Sequence, residues 1–180
     1  MIGQVLLAGI LFMPAAPNRT TPCSLVVDIE RPPTPQLLVA DAALIVHARA
    51  EGLVEAAGTS EDILARTEHQ VRFRVLSVLK GKFTGDELRF NGKIESQDDW
   101  NDQSVPYNFI RPGGREGNCY ALRHKQGGEY LLLLNPVNPA SAKPTWSPYW
   151  AALRPTNEQI RGADDPWLAW VAQQVKKSNR

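Results

Sequence analysis

Hydrophobic and polar residues alternate most regularly between Glu68 and Leu79, where Val71, Phe73 and Val75 interleave with Gln70, Arg72 and Arg74. A period of two predicts a half-buried strand, with the apolar set facing the core. The phase shifts at Leu76, Val78 and Leu79, which predicts a bulge before Lys80-Gly81. Upstream, Ala42 to Glu55 alternates more loosely, with Leu44, Val46, Ala48 and Ala50 on one face and Ile45, His47, Arg49 and Glu51 on the other. This predicts a strand bent near Gly52. Gly85-Asp86 turns the chain into a third strand carrying Leu88 and Phe90, which ends at Asn91-Gly92. Tyr130 to Leu134 is a continuous apolar run behind Gln126-Gly127-Gly128, the pattern of a strand covered on both faces. A last strand is expected over Tyr149–Leu153.

Two helices bracket these strands. Thr34-Pro35 offers an N-cap with proline at the first helical position, followed by Leu37, Leu38 and Val39, which predicts a short helix. Asp164-Asp165-Pro166 repeats that opening, and Trp167, Trp170, Val171, Gln174 and Val175 then recur at helical spacing. Lys93 to Asn118 shows no sustained period and contains Pro106, Pro112, Gly113, Gly114 and Gly117. A segment of that length without its own periodicity is the leading place for function.

Composition narrows the classes. The chain has 180 residues, 43% hydrophobic and 22% charged, which suits one packed domain with a modest surplus. Lys and Arg number 20 against 19 Asp and Glu, so no strong field exists to hold nucleic acid, and none is expected as a partner. Ile2 to Met13 is an apolar run too short to span a membrane and of the length of a signal-peptide core, ending at small residues around Ala15 and Ala16. The expectation is a signal peptide over 1–16, export to the periplasm or beyond, and a mature chain without a membrane span. Cys23 and Cys119 are the only two cysteines, and an even count in an exported chain predicts one disulfide between them. Closing a loop of that length is worth about 4.7 kcal/mol in the chain-entropy account.

Taken in order, Cys23, the short helix, Ala40-Asp41 before an apolar strand, Val71-x-Phe73-x-Val75 running to Val78-Leu79-Lys80-Gly81, Cys119 and Gly127-Gly128-Glu129-Tyr130-Leu131-Leu132 resemble the netrin-like domains that include tissue inhibitors of metalloproteinases. The resemblance covers about Cys23 to Leu134. It implies an all-β fold, a five-stranded OB barrel in an exported bacterial protein, with the second cysteine pinning the leading segment to the barrel. The expected organisation is an OB-fold domain over 23–155 and a helical extension over 156–180 packed on it. The family's zinc-chelating inhibition needs the mature chain to begin at its cysteine, whereas Pro22 precedes Cys23 and position 25 is Leu instead of a second cysteine. Metalloprotease inhibition therefore stands as an alternative.

Catalytic chemistry has little to stand on. His47, His69 and His124 lie in no nucleophile motif, and no catalytic residue, cofactor site or metal site is expected. Asp98, Asp99 and Asp102 lack the spacing of a calcium loop and read as a solvated acidic turn. Arg111 to Gly117 offers two guanidinia and glycine amides to an anion, but without phosphate-loop spacing it reads as the turn delivering Cys119. The aromatic residues of the irregular segments either pack over the barrel ends or form an exposed binding surface. The resulting expectation is a monomeric, noncatalytic module that binds an extracytoplasmic protein through the 93–118 loop, with Trp100, Tyr107, Phe109, Arg111 and Arg115 as candidate contacts. A glycan- or single-strand-binding OB domain is one alternative. An enzyme whose pocket gathers Asp99, Arg111, Arg115 and His124 is another. Intact mass of the exported protein, with and without reductant, checks the processing and pairing expectations: the mature chain should begin after Ala16 and gain the mass of two hydrogens on reduction.

Overall fold

A computed structural model describes residues 33–55, 69–115, 119–137, 146–148 and 152–178. The expected signal peptide and Cys23 lie outside them. The chain is mostly strand, with a helix near each end of the described part: α1 (Pro35–Asp41), β1 (Leu44–Glu55), β2 (His69–Lys80), β3 (Glu87–Asn91), β4 (Lys93–Glu95), β5 (Arg123–Lys125), β6 (Glu129–Pro136), β7 (Trp146–Pro148), β8 (Asn157–Ile160) and α2 (Pro166–Ser178). The main sheet runs β3-β2-β1-β6-β7, every pair antiparallel, and β8 pairs with the first half of β6 on the edge whose second half takes β7. β4 and β5 form a small parallel pair.

The loose alternation of β1 has a structural cause. Leu44, Val46, Ala48 and Ala50 pack with Val71, Phe73, Leu88, Phe90, Tyr130, Leu132 and Leu134 in one core. Ile45 faces the other core, made with Leu131, Leu133, Ile160 and the helix residues Leu38, Val39, Trp167, Val171 and Val175. Both β1 and β6 are therefore covered on two faces, which is why Tyr130–Leu134 carries no polar position. The clean alternation of β2 ends where expected: its register against β1 skips Leu76 and Leu79, so two bulges absorb the phase shift. A further irregularity sits between Ala50 and Gly52, at the expected bend.

Local signals set the ends of both helices. The Thr34 hydroxyl accepts from the Leu37 N–H, and Pro35 opens α1. At the other end Lys80 donates from Nζ to the carbonyls of Val39 (2.8 Å) and Ala40 (2.6 Å), closing the α1 terminus with a cation. Burial holds the Lys80 ammonium below its usual range, against the opposing charge of Asp41. Gly81 then leaves β2 at φ 82°, and a Cβ there would lie 2.4 Å from the Ala43 carbonyl oxygen, so the Lys80-Gly81 pair is fixed from both sides. Asp165 caps α2, accepting from the N–H groups of Trp167 (2.8 Å) and Arg161 (2.9 Å).

The all-β expectation is met in its coarser form, and the expected last strand needs correction. Strands β3 and β7, the ends of the main path, approach one another without pairing, so among the described residues the sheet curls but is not closed into a barrel by hydrogen bonds. Residues 152–153, part of the expected last strand, form a turn, and the strand comes later, at Asn157–Ile160, where no apolar alternation marks it. The segment expected to be a helical extension thus supplies β8 to the sheet before α2 begins. Among the described residues no helix is long and apolar enough to cross a membrane.

Candidate functional site

The described part of the 93–118 segment is built around one side chain. Arg111 is fully buried. Its guanidinium pairs with Asp99 and donates to the carbonyls of Asn157 (2.8 Å) and Ala121 (3.0 Å), and it lies 5.4 Å from the centre of the Tyr130 ring. Its backbone N–H donates to Glu158, 3.2 Å away. A buried arginine is tolerated only when its donors are met, and here a carboxylate, two carbonyls and an aromatic face meet them. The segment is anchored to β8 and β6 through this residue.

Glu158, on β8, is buried beside it. Its carboxylate also accepts from Asn101 Nδ2 at 2.8 Å, and the same amide donates to the Phe109 carbonyl at 2.8 Å. Burial pushes the Glu158 carboxyl up to about 8, against the pull of Arg111 and the Asn101 amide. His124, on β5, is buried as well and contacts Asn157 Nδ2 through Nε2 at 2.9 Å, with Phe73 and Tyr130 at its edges. Burial, helped by the Arg111 charge, holds the imidazole well below its usual range and therefore neutral. Tyr130 accepts the Lys125 N–H on its hydroxyl, 2.6 Å away, and burial raises its phenol to about 12.

The five candidate contacts have separate fates. Arg111 is structural in position, as described. Tyr107 is buried, stacked on Trp167 with ring centres 4.8 Å apart, and burial raises its phenol. These two therefore face the core, correcting their expected place on a binding surface. Arg115 grips Asp102 with two nitrogens (2.9 and 2.7 Å), holds the Ile110 carbonyl at 2.7 Å and lies over the half-buried Phe109 ring. Trp100 is 41% exposed, bridged in parallel to Gln159 on β8, with the Arg161 guanidinium 4.8 Å from its ring centre. Phe109, Arg115 and Trp100 remain at the surface.

Asp98, Asp99 and Asp102 turn to three different cations, Lys125, Arg111 and Arg115. The pairing with Arg115 holds Asp102 below the usual carboxylate range, and that with Lys125 does the same for Asp98. Among the described residues no group of His, Cys, Asp or Glu is placed to hold a metal ion. Of the four groups an enzyme pocket would gather, Asp99 and Arg111 are bonded and His124 joins them through Asn157, whereas Arg115 stands apart with Asp102. Arg111 and His124 are buried, and Asp99 sits partly exposed beside Arg111. Asn101, Asn157, Glu158 and Gln159 were missed from sequence. The run Asn157-Glu158-Gln159-Ile160 has no apolar period to betray a buried strand, and only the density of polar residues there is a signal. Cys119 is buried at φ 60°, and its carbonyl accepts the N–H of Leu153 at 2.8 Å.

No family model and no curated protein matches the chain.

The buried pair sets a stability window in pH. A raised carboxyl stabilises the fold fully below the unfolded value near 4.5 and loses that contribution as pH rises through about 8. A depressed imidazole contributes above 6.5 and loses it as pH falls toward its folded value. Urea unfolding across pH should therefore show maximal stability between about 4.5 and 6.5, where the two contributions offset one another, and a decline as pH rises from 6.5 toward 8. Glu158→Gln should flatten the alkaline limb and cost about 1–3 kcal/mol at neutral pH, because its amide nitrogen would face one of the two N–H donors.

Proposed function

We propose that this chain is an exported, noncatalytic binding module that recognises a protein partner through the 93–118 segment. The observation that carries this reading is the anchoring of an irregular segment by a buried arginine while Phe109, Arg115, Asp102 and Asn108 stay toward solvent. A surface already held in one geometry loses little entropy on binding, and aromatic and arginine side chains within a polar rim are what protein hot spots are made of. The finer fold is a five-stranded OB-like barrel of the netrin-like kind. The bulged β1–β2 pair and the approach of β3 to β7 support it. The Cys23–Cys119 bridge belongs to the same proposal, and the burial of Cys119 behind the segment supports it.

Site-specific photo-crosslinking in the native host tests the reading. A crosslinker at Asn108 should give a covalent adduct with one protein, and one at Leu53, exposed on β1, should not. The double substitution Phe109→Ala, Arg115→Ala should weaken that complex at least ~30-fold, the equivalent of about 2 kcal/mol, while the circular dichroism spectrum stays unchanged. Equal adducts from both positions, or a partner held as tightly by the double variant, would overturn it.

A further inference from the structure

Beyond the Phe109–Arg115 surface, a second feature of the molecule has the form of a ligand site. A concavity of about 280 Å³ opens where the β5–β6 turn meets the end of β8, with Trp100 on one side and Arg161 beside it. That is near the small end of the range for ligand pockets, ~300 to 1,000 Å³. Trp100 is the only wall residue with a large exposed apolar face, and it is held: its backbone bridges Gln159, and the guanidinium of Arg161 rests over the ring. Arg161 covers one face of the ring, and the two-fifths of Trp100 left exposed is the apolar surface a ligand could stack on.

The polar wall is equally fixed. Asp98 accepts from Lys125 Nζ and from Gln159 Nε2, each at 2.6 Å, and Gln159 Oε1 accepts the Asp99 N–H at 2.7 Å. Each of these groups keeps unused hydrogen-bonding capacity, because an ammonium and an amide carry further donors and a carboxylate further lone pairs. At the mouth, Gly127 adopts φ 75°, and nothing lies within 4 Å of where its side chain would be, so the turn leaves the opening clear.

The charges decide the ligand class. The wall carries Lys125 and Arg161 against Asp98 and Glu129, with Lys125 paired to Asp98, so it has no surplus cation to select a phosphate or an acidic peptide. The apolar area is a single ring face with Ile160 at its foot, too little for a hydrophobic ligand. One aromatic face, surrounded by oriented amide and carboxylate groups of zero net charge, complements a molecule with an apolar C–H face and a rim of hydroxyls. We infer that the concavity beside Trp100 binds a neutral sugar ring, stacked on Trp100 and hydrogen-bonded by Asp98 and Lys125, with the buried Gln159 amide holding Asp98 in place. Asp98 and Trp100 belong to the same 93–118 segment as the proposed partner surface, but the concavity uses none of Phe109, Arg115, Asp102 and Asn108, so each reading can fail without the other.

Fluorine NMR of the full chain labelled with fluorotryptophan provides the test. Each of the 5 tryptophans gives a resonance, and that of Trp100 is assigned by Trp100→Phe. Maltose, cellobiose, lactose and diacetylchitobiose are titrated, with a polyglutamate peptide and inorganic polyphosphate alongside. The expected result is a saturable shift of the Trp100 resonance with at least one disaccharide, at a Kd on the order of 1 mM, with the other resonances still. In parallel calorimetry of unlabelled protein, Trp100→Ala should abolish that binding, and Lys125→Met, which keeps the chain's apolar stem, should weaken it several-fold. No saturable shift with any of the four sugars, a response to the anionic probes instead, or disaccharide binding untouched in Trp100→Ala would each overturn the inference.

Discussion

Arg111 carries a full positive charge in a place that water does not reach, and the arrangement of the second half of the chain follows from satisfying it. Its guanidinium needs the Asp99 carboxylate from one side and the carbonyls of Asn157 and Ala121 from others. Its own N–H occupies Glu158. These partners belong to the irregular segment, to the stretch before β5 and to β8, so one side chain ties three distant parts of the sequence to the edge of the sheet. Removing a partner from such a group costs far more than an exposed ion pair would, because the remaining charge has no solvent to fall back on.

That constraint explains an otherwise odd strand. β8 is buried yet reads Asn157-Glu158-Gln159-Ile160, with polar side chains on both faces. Asn157 serves His124, Glu158 serves Arg111 and Asn101, and Gln159 serves Asp98 and Asp99. The strand is less a part of the apolar core than the fixed rail to which the segment is bonded. Trp100, Phe109 and Arg115 owe their surface positions to that rail, and both proposed recognition surfaces inherit their rigidity from it.

Legibility in the sequence followed the source of each element's stability. Where burial of alternating side chains drives structure, the pattern was plain: β2 with its bulges, β1 bent at Gly52, β3, the doubly covered β6. Capping chemistry was equally local, so Thr34-Pro35 and Asp165-Pro166 marked both helices. What could not be read was any element stabilised by long-range polar pairing. β8 has no hydrophobic period, and nothing near Arg111 in sequence says that it is buried, since its partners lie up to 47 positions away. Tyr107 was ambiguous for a related reason, because its stacking partner Trp167 comes from the far helix. The sequence marks Trp100 and Arg115 in the irregular segment along with the buried Tyr107 and Arg111, since only the fold separates an exposed side chain from a packed one.

The account rests on Arg111 holding the segment to β8 as a preformed surface. Amide hydrogen exchange of the native protein and of Arg111→Met tests this directly. Backbone amides of Gly113, Gly114 and Ile110, which are hydrogen-bonded in the fold, should be protected in the native chain. In the variant they should exchange at least ~100-fold faster, while the amides of β1 and β6 keep their protection. Fast exchange of the segment in the native protein, or unchanged protection in the variant, would contradict it.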